Sequence, residues 1–179
     1  MKKSPEGIIL EVFDDIITFK GKNILEIGCG DGRLTFKFSG LAKRVIAIDP
    51  DRKDVERALH TSSQPLSSKL DFQVATGEFL PFVPYAFDII FYTGSLCCMN
   101  SEQIVEEALY EAWRVLKVDG VLLNLQPARH QFSLDVLREF YQKGDYFHLI
   151  AEKSKTVTNC WWRYSTDQIV FSILRKRVK

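Results

Sequence analysis

No apolar run in the 179-residue sequence approaches the ~20 residues that a membrane-spanning helix needs. The apolar stretch 8–19 is interrupted by Glu11, Asp14 and Asp15, which argues against a signal peptide. We therefore expect a cytoplasmic protein that has no membrane partner. With 46% hydrophobic and 26% charged residues, the composition also excludes a disordered or fibrous class.

Cysteine and histidine are scarce, and neither is arranged as a metal site. The three histidines are scattered, and no Cys-x-x-Cys pair occurs among the four cysteines, which are Cys29, Cys97, Cys98 and Cys160. In a chain without a secretory signal, we interpret them as reduced cytosolic thiols rather than as a disulfide framework, and we predict no metal. A net charge of +1 provides no global field that would favour nucleic acid.

Glycine, by contrast, is concentrated in the stretch 23–36. The apolar run 24–27 has the length of a buried strand, and Gly28, Gly30 and Gly32 follow it at every second position. A helical pattern then begins. Glycine permits a sharp bend and lets the backbone approach a ligand without a Cβ in the way. The N-terminus of the following helix suits an anionic group such as a carboxylate.

The spacing of these glycines distinguishes between ligands. In the dinucleotide fingerprint Gly-x-Gly-x-x-Gly, the third glycine would fall on Arg33, so a nicotinamide oxidoreductase is disfavoured. The observed form, Glu26-x-Gly28-x-Gly30-x-Gly32, resembles the first motif of class I S-adenosylmethionine-dependent methyltransferases. The alternative is a glycine-rich turn in another kind of α/β domain.

An acidic residue follows the second predicted strand. Asp49 stands 21 positions after Gly28, at the carboxyl end of the strand 44–48, in the sequence Asp49-Pro50-Asp51. A carboxylate in this place can accept hydrogen bonds from both hydroxyls of a ribose. Alone, an aspartate before proline is usually a turn former, but the glycine stretch at this separation favours the ribose role. Members of the resembled family carry an acidic residue here.

Two later segments extend the resemblance. The segment 76–82 is similar to the family segment that packs against adenine, but Thr76 stands where an aspartate is usual. We therefore expect Glu78, or the backbone near Gly77, to supply the contact, and a proline-bounded surface loop is the alternative. The segment 114–120 resembles the family's Arg-Val-Leu-Lys-Pro-Gly-Gly turn, with two of the last three residues different.

The fourth predicted strand, 87–92, is followed by Thr93-Gly94-Ser95-Leu96-Cys97-Cys98-Met99. In an open sheet this edge, beside the first strand, is the crevice where ligands bind. Many members of the family carry Leu-His-His where this chain has Leu96-Cys97-Cys98, so any role of those histidines is absent. One of the two cysteines could act as a nucleophile, but buried cysteine is mostly a small apolar residue, and we do not favour that role.

The periodicities predict helices at 7–19, 33–41, 54–60, 103–116 and 132–142, a loop at 61–69, and further strands at 70–75, 121–125, 146–151 and 168–174. The last two strands are expected to pair antiparallel. Because strands and helices alternate, we predict a doubly wound α/β fold with a mostly parallel, seven-stranded sheet in a three-layer sandwich. We treat 1–179 as a single domain, in which residues 1–20 form a helix that packs on the core.

Three other features have a functional and a plain interpretation. His130 follows the fifth strand and could reach the crevice as a substrate or base residue, although a surface histidine is favoured. The sequence Cys160-Trp161-Trp162-Arg163-Tyr164 could stack bases or bind cations, although a strand extension or interface patch is favoured. The basic end, 175–179, is expected to be solvated.

The resemblance implies an enzyme that moves a methyl group from S-adenosylmethionine to an acceptor and leaves S-adenosylhomocysteine. We expect a small-molecule acceptor, while nucleic acid or protein acceptors and the oligomeric state stay open. No catalytic residue is predicted, because a neutral thioether leaves and the protein must mainly align the acceptor and exclude water. The alternative is a non-catalytic partner subunit that keeps the fold and can keep the cofactor.

The resemblance also implies which residues contact the cofactor. Glu26 and the loop 28–32 would hold the methionine end, Asp49 the ribose, and 76–78 the adenine. The full predicted set is Glu26, Gly28, Cys29, Gly30, Gly32, Asp49, Pro50, Thr76, Gly77, Glu78, Tyr92 and Thr93. No Asn-Pro-Pro-Tyr or Asp-Pro-Pro-Tyr follows the fourth strand, so an exocyclic amine acceptor held by that motif is not expected.

Overall fold

The structure, a computed structural model, describes residues 5–14, 16–61, 68–158 and 166–177. Its helices are α1 (Pro5–Asp14), α2 (Thr35–Phe38), α3 (Arg52–Thr61), α4 (Glu102–Val115) and α5 (Gln131–Gln142). Its strands are β1 (Asn23–Ile27), β2 (Arg44–Asp49), β3 (Leu70–Val74), β4 (Phe87–Thr93), β5 (Leu116–Pro127), β6 (Phe147–Thr158) and β7 (Thr166–Lys176). The segment 160–164 and most of the loop predicted at 61–69 lie outside the described residues.

One sheet contains all seven of these strands, in the order β3-β2-β1-β4-β5-β7-β6. Strands β1 to β5 pair in parallel, and β7 runs antiparallel to both of its neighbours, β5 and β6. The predicted fold class and the predicted antiparallel pairing of the last two strands are confirmed. Since β2 lies on one side of β1 and β4 on the other, the carboxyl ends of β1 and β4 meet at a topological switch point.

Helices cover both faces of the sheet, which explains why its central strands are mostly apolar on both faces. Helices α4 and α5 pack on one face, and α1, α2 and α3 pack on the other. The ring of Phe13 in α1 meets those of Phe91 and Phe171 edge-on, at centroid distances of 5.2 and 5.4 Å. Such pairs contribute ~0.5–1.5 kcal/mol beyond area burial, so they anchor the N-terminal helix to the core.

The first two helices are shorter than predicted. Helix α1 ends at Asp14 rather than at Phe19, because the carbonyl of Phe13 accepts the amides of both Ile16 and Ile17 and closes the last turn. Helix α2 spans only four residues instead of 33–41. It is rich in threonine and phenylalanine, which have low helix propensity, and beyond it the amides of Leu41 and Ala42 bond in the tighter 3-10 pattern. A helix dipole therefore contributes little after β1.

Strand β5 is longer than the predicted 121–125, because it begins directly after α4. Its register with β4 shifts between Phe87 and Ile89, where the segment 117–120 bulges out. Asp119 has a φ of 60° there, the left-handed conformation that aspartate tolerates better than most residues. Aspartate thus occupies the turn position at which the resembled motif has glycine.

Strand β6 is also longer than the predicted 146–151. The prediction ended too early because the second half of the strand is polar and does not alternate like a core strand. Residues 152–156 are all exposed, and β6 forms one edge of the sheet. Lys153 and Lys155 lie on this edge, where charged side chains discourage pairing with other chains. Sequence periodicity alone detected only the first half, although Val157 near the end of β6 is also buried in the core.

The prediction that the basic end of the chain is solvated is wrong for Lys176, which is buried. Its Nζ donates to the carbonyls of Trp113 and Leu116 at 2.7 and 2.6 Å, and it lies 4.2 Å from the ring centroid of Tyr85. Burial lowers the pKa of Lys176 to about 8. The amine satisfies carbonyls at the C-terminal end of α4, so it locks β7 to that helix.

Within the described ranges, none of the helices has the length and apolar character needed to cross a membrane. The same residues contain no group of three or more His, Cys, Asp or Glu side chains that could hold a metal ion. The cysteines described, Cys29, Cys97 and Cys98, are free thiols.

Candidate functional site

A cavity of about 840 Å³ opens at the carboxyl ends of β1, β2 and β4. Its volume lies in the ~300–1,000 Å³ range typical of small-molecule sites. The loops that follow β1, β2, β3 and β4 form its walls, and Asp54, Arg57 and Ile104 are added by α3 and α4. This is the switch-point crevice at which a doubly wound sheet binds its ligand.

The first wall is the loop after β1, residues 28–32, which we term the glycine loop. Its glycines have φ values of 82°, 55° and 79°, all in the region that favours glycine. A Cβ built on Gly30 would meet nothing within 4 Å, and Gly30 lines the cavity. The backbone at Gly30 therefore presents an open face to any ligand.

The other two glycines of this loop serve packing. A Cβ on Gly28 would lie 2.3 Å from the Cβ of Ser95, in the loop after β4. A Cβ on Gly32 would lie 2.9 Å from the rings of Phe36 and Phe72. One sequence motif thus combines a ligand-facing glycine with two that let neighbouring elements approach.

Asp49, at the end of β2, faces the glycine loop. Its Oδ2 accepts the amide of Gly30 at 2.8 Å, and its Oδ1 accepts the amide of Asp51 at 2.9 Å. Each carboxylate oxygen has two acceptor sites, so each keeps one for a ligand donor. Asp49 lines the cavity, so it both fixes the glycine loop and offers charged acceptors to a ligand.

The wall after β3 is formed by Thr76, Gly77 and Glu78. Gly77 is buried, and a Cβ there would lie 3.2 Å from Ile27 and 3.3 Å from Met99. The absence of a side chain therefore lets this wall approach the end of β1 closely.

An ion pair on α4 holds the chain that follows this wall. Arg114 donates to the carbonyls of Phe82 and Leu80 at 2.7 and 2.9 Å, and also to Glu111. The carboxylate of Glu111 in turn accepts the amide of Leu80 at 3.0 Å. The hydrogen bond from Arg114 lowers the pKa of Glu111 below its usual range. The segment 76–82, which was predicted to pack against adenine, is thereby attached to α4.

Glu26 lies behind the glycine loop and is fully buried. Its two oxygens accept hydrogen bonds from the hydroxyls of Thr35, at 2.6 Å, and Thr93, at 3.0 Å. Burial raises the pKa of Glu26 to about 7, against smaller opposing effects of the two threonines. Glu26 therefore joins the segment after the glycine loop to the end of β4.

The wall opposite the glycine loop follows β4. We term residues 94–99, which include the 3-10 turn Leu96–Cys98, the cysteine turn. Gly94 has a φ of 67° and donates its amide to Leu125 at 2.8 Å. Ser95 donates its hydroxyl to the carbonyl of Ile27 at 2.6 Å. Backbone and side-chain bonds thus tie this turn to both neighbouring strands.

The structure brings most of the predicted contact residues to one cavity. Nine of them line it, namely Gly28, Cys29, Gly30, Asp49, Pro50, Thr76, Gly77, Glu78 and Thr93. Glu26 and Gly32 do not line the cavity and are buried behind its surface. Tyr92 is also fully buried and donates its hydroxyl to the carbonyl of Ala108 at 2.7 Å, and its burial raises its pKa. These three stabilise the walls from within.

His130 is not among the cavity-lining residues; it precedes α5, and its carbonyl accepts from Gln126 and Ser133. The predicted contact set lacks several wall residues, including Ser95, Met99 and Ile104. Ser95 and Met99 lie in the segment 93–99 that the sequence placed at the crevice, where only their position after β4 marked them, and Ile104 of α4 belongs to no motif. The cavity can hold an elongated ligand, with hydroxyls at Asp49 and a polar end at the glycine loop.

A family model described as a methyltransferase domain matches residues 25–124, more than half of the chain. The ubiquinone/menaquinone biosynthesis C-methyltransferase UbiE of Rickettsia bellii is 32% identical over 158 residues, which cover 84% of this chain and 60% of UbiE. The probable S-adenosylmethionine-dependent methyltransferase CRG1 of Saccharomyces cerevisiae is 29% identical over 143 residues, covering 75% and 47%. The chain thus spans about half to three fifths of the length of these relatives.

Solved structures resemble the fold over nearly the whole chain. A SAM-dependent methyltransferase of Methanosarcina mazei superposes with a TM-score of 0.79 at 15% identity, covering 94% of this chain and 98% of that one. At this level of identity the likeness concerns the fold. The match extends beyond residues 25–124, so the helices and strands that flank the cavity follow a shared plan.

Proposed function

The chain belongs to the family of class I S-adenosylmethionine-dependent methyltransferases, and on that premise we propose that it transfers a methyl group from S-adenosylmethionine to a small-molecule acceptor. One observation supports this proposal above all. The open backbone of Gly30 and the carboxylate of Asp49 face the same cavity and are joined by a 2.8 Å hydrogen bond.

The cavity residues fit the parts of this cofactor. The backbone of the glycine loop would hold the methionine end, and the free acceptor sites of Asp49 would take the ribose hydroxyls. Thr76, Gly77 and Glu78 would hold the adenine, with the Arg114–Glu111 pair keeping their segment in place. Glu26 would act from behind, by fixing the loop.

When bound, the cofactor supplies a methyl group on a sulfonium, whose leaving group is a neutral thioether. The tasks left to this chain are to bind the cofactor, to orient the acceptor and to exclude water. We therefore assign no catalytic base, and His130, which does not line the cavity, is not needed as one.

The small-molecule acceptor is supported by the wall opposite the glycine loop, where Met99 and Ile104 provide apolar surface. A relative, UbiE, is named for ubiquinone and menaquinone biosynthesis and methylates carbon. Quinone-like rings with a nucleophilic carbon are therefore the first acceptors to test.

Calorimetry with S-adenosylhomocysteine, with NAD as the competitor, tests the cofactor assignment directly. We expect saturable binding of S-adenosylhomocysteine that NAD does not displace. No heat and no thermal shift at millimolar ligand would overturn the assignment.

A second assay, with a labelled methyl group and a panel of small acceptors, tests turnover. Transfer to any member of the panel supports an enzyme. Tight binding without transfer across the panel would favour the non-catalytic partner subunit instead.

A further inference from the structure

Two neighbouring thiols, Cys97 and Cys98, lie at the cavity and take no part in the proposed function. Cys98 is exposed and lines the cavity, and Cys97 is partly buried beside it. Their sulfurs lie 3.0 and 3.4 Å from the same acceptor, the carbonyl oxygen of Gly94. Because they share one acceptor, the two sulfurs are close to each other.

The two thiols also differ in how easily each ionises. The neighbouring Cys97 thiol lowers the pKa of Cys98, whereas the Cys98 thiol and burial raise the pKa of Cys97. An accessible thiol of lowered pKa next to a second thiol is the arrangement found in redox-sensitive cysteines. Cys29, on the opposite wall, is buried, and its burial raises its pKa, so it serves as an internal unreactive reference.

The turn that carries the two thiols cannot accept a disulfide without rearranging. The trans peptide fixes the Cα atoms of adjacent residues ~3.8 Å apart, which is shorter than the ~4.4–6.8 Å that disulfides usually span, so the dihedral angles around the Cys97–Cys98 peptide must change to close the ring. Bonds of the turn, from the amide of Cys98 to Ser95 and from the amide of Met99 to Leu96, would have to yield. Ser95 also holds the end of β1, so a change in this turn reaches the glycine loop.

We propose that Cys97 and Cys98 form an oxidant-sensitive pair, and that hydrogen peroxide joins them in a disulfide that distorts the cysteine turn and weakens cofactor binding. The Cys98 thiolate attacks one peroxide oxygen, the O–O bond breaks, and a sulfenic acid and hydroxide form. The Cys97 sulfur then attacks the Cys98 sulfur, the S–O bond breaks, and the departing hydroxide takes the Cys97 proton. In total, two thiols and one peroxide give one disulfide and two waters.

The strain of a ring closed between neighbouring residues makes such a disulfide easy to reduce. The change is therefore reversible by a dithiol, which suits a switch rather than a structural link. Only the effect on affinity depends on the proposed function, since the thiol chemistry itself does not.

The test combines intact mass, peptide mapping and ligand affinity on the full chain, before and after peroxide. We expect wild type to lose two hydrogen atoms, to map the new bond to Cys97–Cys98, and to leave Cys29 as a thiol. Affinity for S-adenosylhomocysteine should fall at least about tenfold and return after dithiothreitol. Amide exchange should rise at Cys98 and Met99 in the oxidised protein, with or without ligand.

The matched variant is Cys97→Ser, since Cys97 does not line the cavity. The reduced variant should bind like wild type, and peroxide should leave a dimedone-reactive sulfenic acid on Cys98 and no disulfide. The proposal is overturned if peroxide spares both thiols, or if the bond forms and neither exchange nor affinity changes. If the reduced wild type binds no adenosyl ligand, the proposed function fails, and mass and exchange still decide the thiol chemistry.

Discussion

The glycine loop and the cysteine turn are facing walls of one cavity, and they are built in opposite ways. The glycine loop presents backbone, with open space at Gly30. The cysteine turn depends on side chains, with the hydroxyl of Ser95 tying it to β1 and the thiol of Cys98 facing the cavity. A backbone wall demands a particular residue type at a particular spacing, whereas a side-chain wall can be assembled from many combinations.

Four changes test how far this contrast holds, and the largest effect is expected from Gly28→Ala. The added Cβ would lie 2.3 Å from that of Ser95, and the residue would have to keep a φ of 82°. The left-handed backbone costs ~1–2 kcal/mol and overpacking ~1–3 kcal/mol. Urea denaturation should therefore show a loss of roughly 2–5 kcal/mol in the free energy of unfolding.

Gly21→Ala is the matched control for that change. Gly21 has a φ of 73°, but a Cβ there meets nothing within 4 Å, so only the backbone cost of ~1–2 kcal/mol applies. Equal losses in the free energy of unfolding for the two variants would mean that the glycine loop and the cysteine turn are not in close contact at Gly28 and Ser95. Restoration of stability by a second change, Ser95→Gly, would locate the clash.

Gly30→Val should separate ligand binding from folding. At a φ of 55° valine carries a backbone cost of at least ~1–2 kcal/mol, as at Gly21, but its Cβ would enter open space at the cavity. The branched side chain should therefore block the backbone face while the fold survives. We expect affinity for S-adenosylhomocysteine to fall by at least ~100-fold, or ~2.7 kcal/mol, in calorimetry. A folded variant, checked by circular dichroism, that binds normally would show the glycine loop to be structural only.

Glu26, which joins the segments behind both walls, should make stability depend on pH. The unfolded chain releases this proton near 4.5 and the folded chain near 7, so the folded state binds more protons between these values. Stability should therefore fall as pH rises from about 4.5 to 7, by no more than roughly 3 kcal/mol. In Glu26→Gln this contribution should vanish. The assignment would be contradicted if the free energies of unfolding of the two proteins changed in the same way between about pH 5 and 8.

The smallest of the four effects is expected from Asp49→Ala. The variant loses the acceptors proposed for the ribose and the bond to the amide of Gly30. Each hydrogen bond to a charged group contributes ~1.5–3 kcal/mol, so affinity should fall at least about tenfold. Asp51→Ala is the control, since Asp51 is exposed and its carboxylate accepts only the amide of Lys53 among the contacts described. Equal, small losses in calorimetry would remove the ribose role.

The order of the sheet was predictable because each central strand is a compact apolar run between turn residues. The same holds for the glycine loop and Asp49, where chemistry restricts the residue type. The length of α2 was not predictable, because its hydrophobic pattern suits a longer helix and only local propensity ends it after Phe38. Hydrophobic periodicity did not reveal the polar half of β6, because an edge strand need not alternate apolar and polar residues.

The site was predictable to a similar extent and for the same reason. Residues that line the cavity with their backbone, such as Gly30, carry a sequence signature. The burial of Glu26 and Tyr92 depends on neighbours distant in the chain, Thr93 and Ala108 among them, so periodicity could not reveal it. The segment that contains Ser95 and Met99 was expected at the crevice, but which of its residues line the wall depends on how β1 and β4 lie side by side.

The position of β7 between β5 and β6 has a consequence for synthesis on the ribosome. Until residues 166–176 have been made, β5 has an unpaired edge and β6 has no partner in the sheet. At ~5–20 residues per second, translation of residues 128–176 keeps that edge open for roughly 2–10 s. Strands β1 to β4 can assemble earlier, so the nascent chain presents a formed crevice beside a bare, apolar strand. We expect chaperones to meet the newborn protein at the open edge of β5.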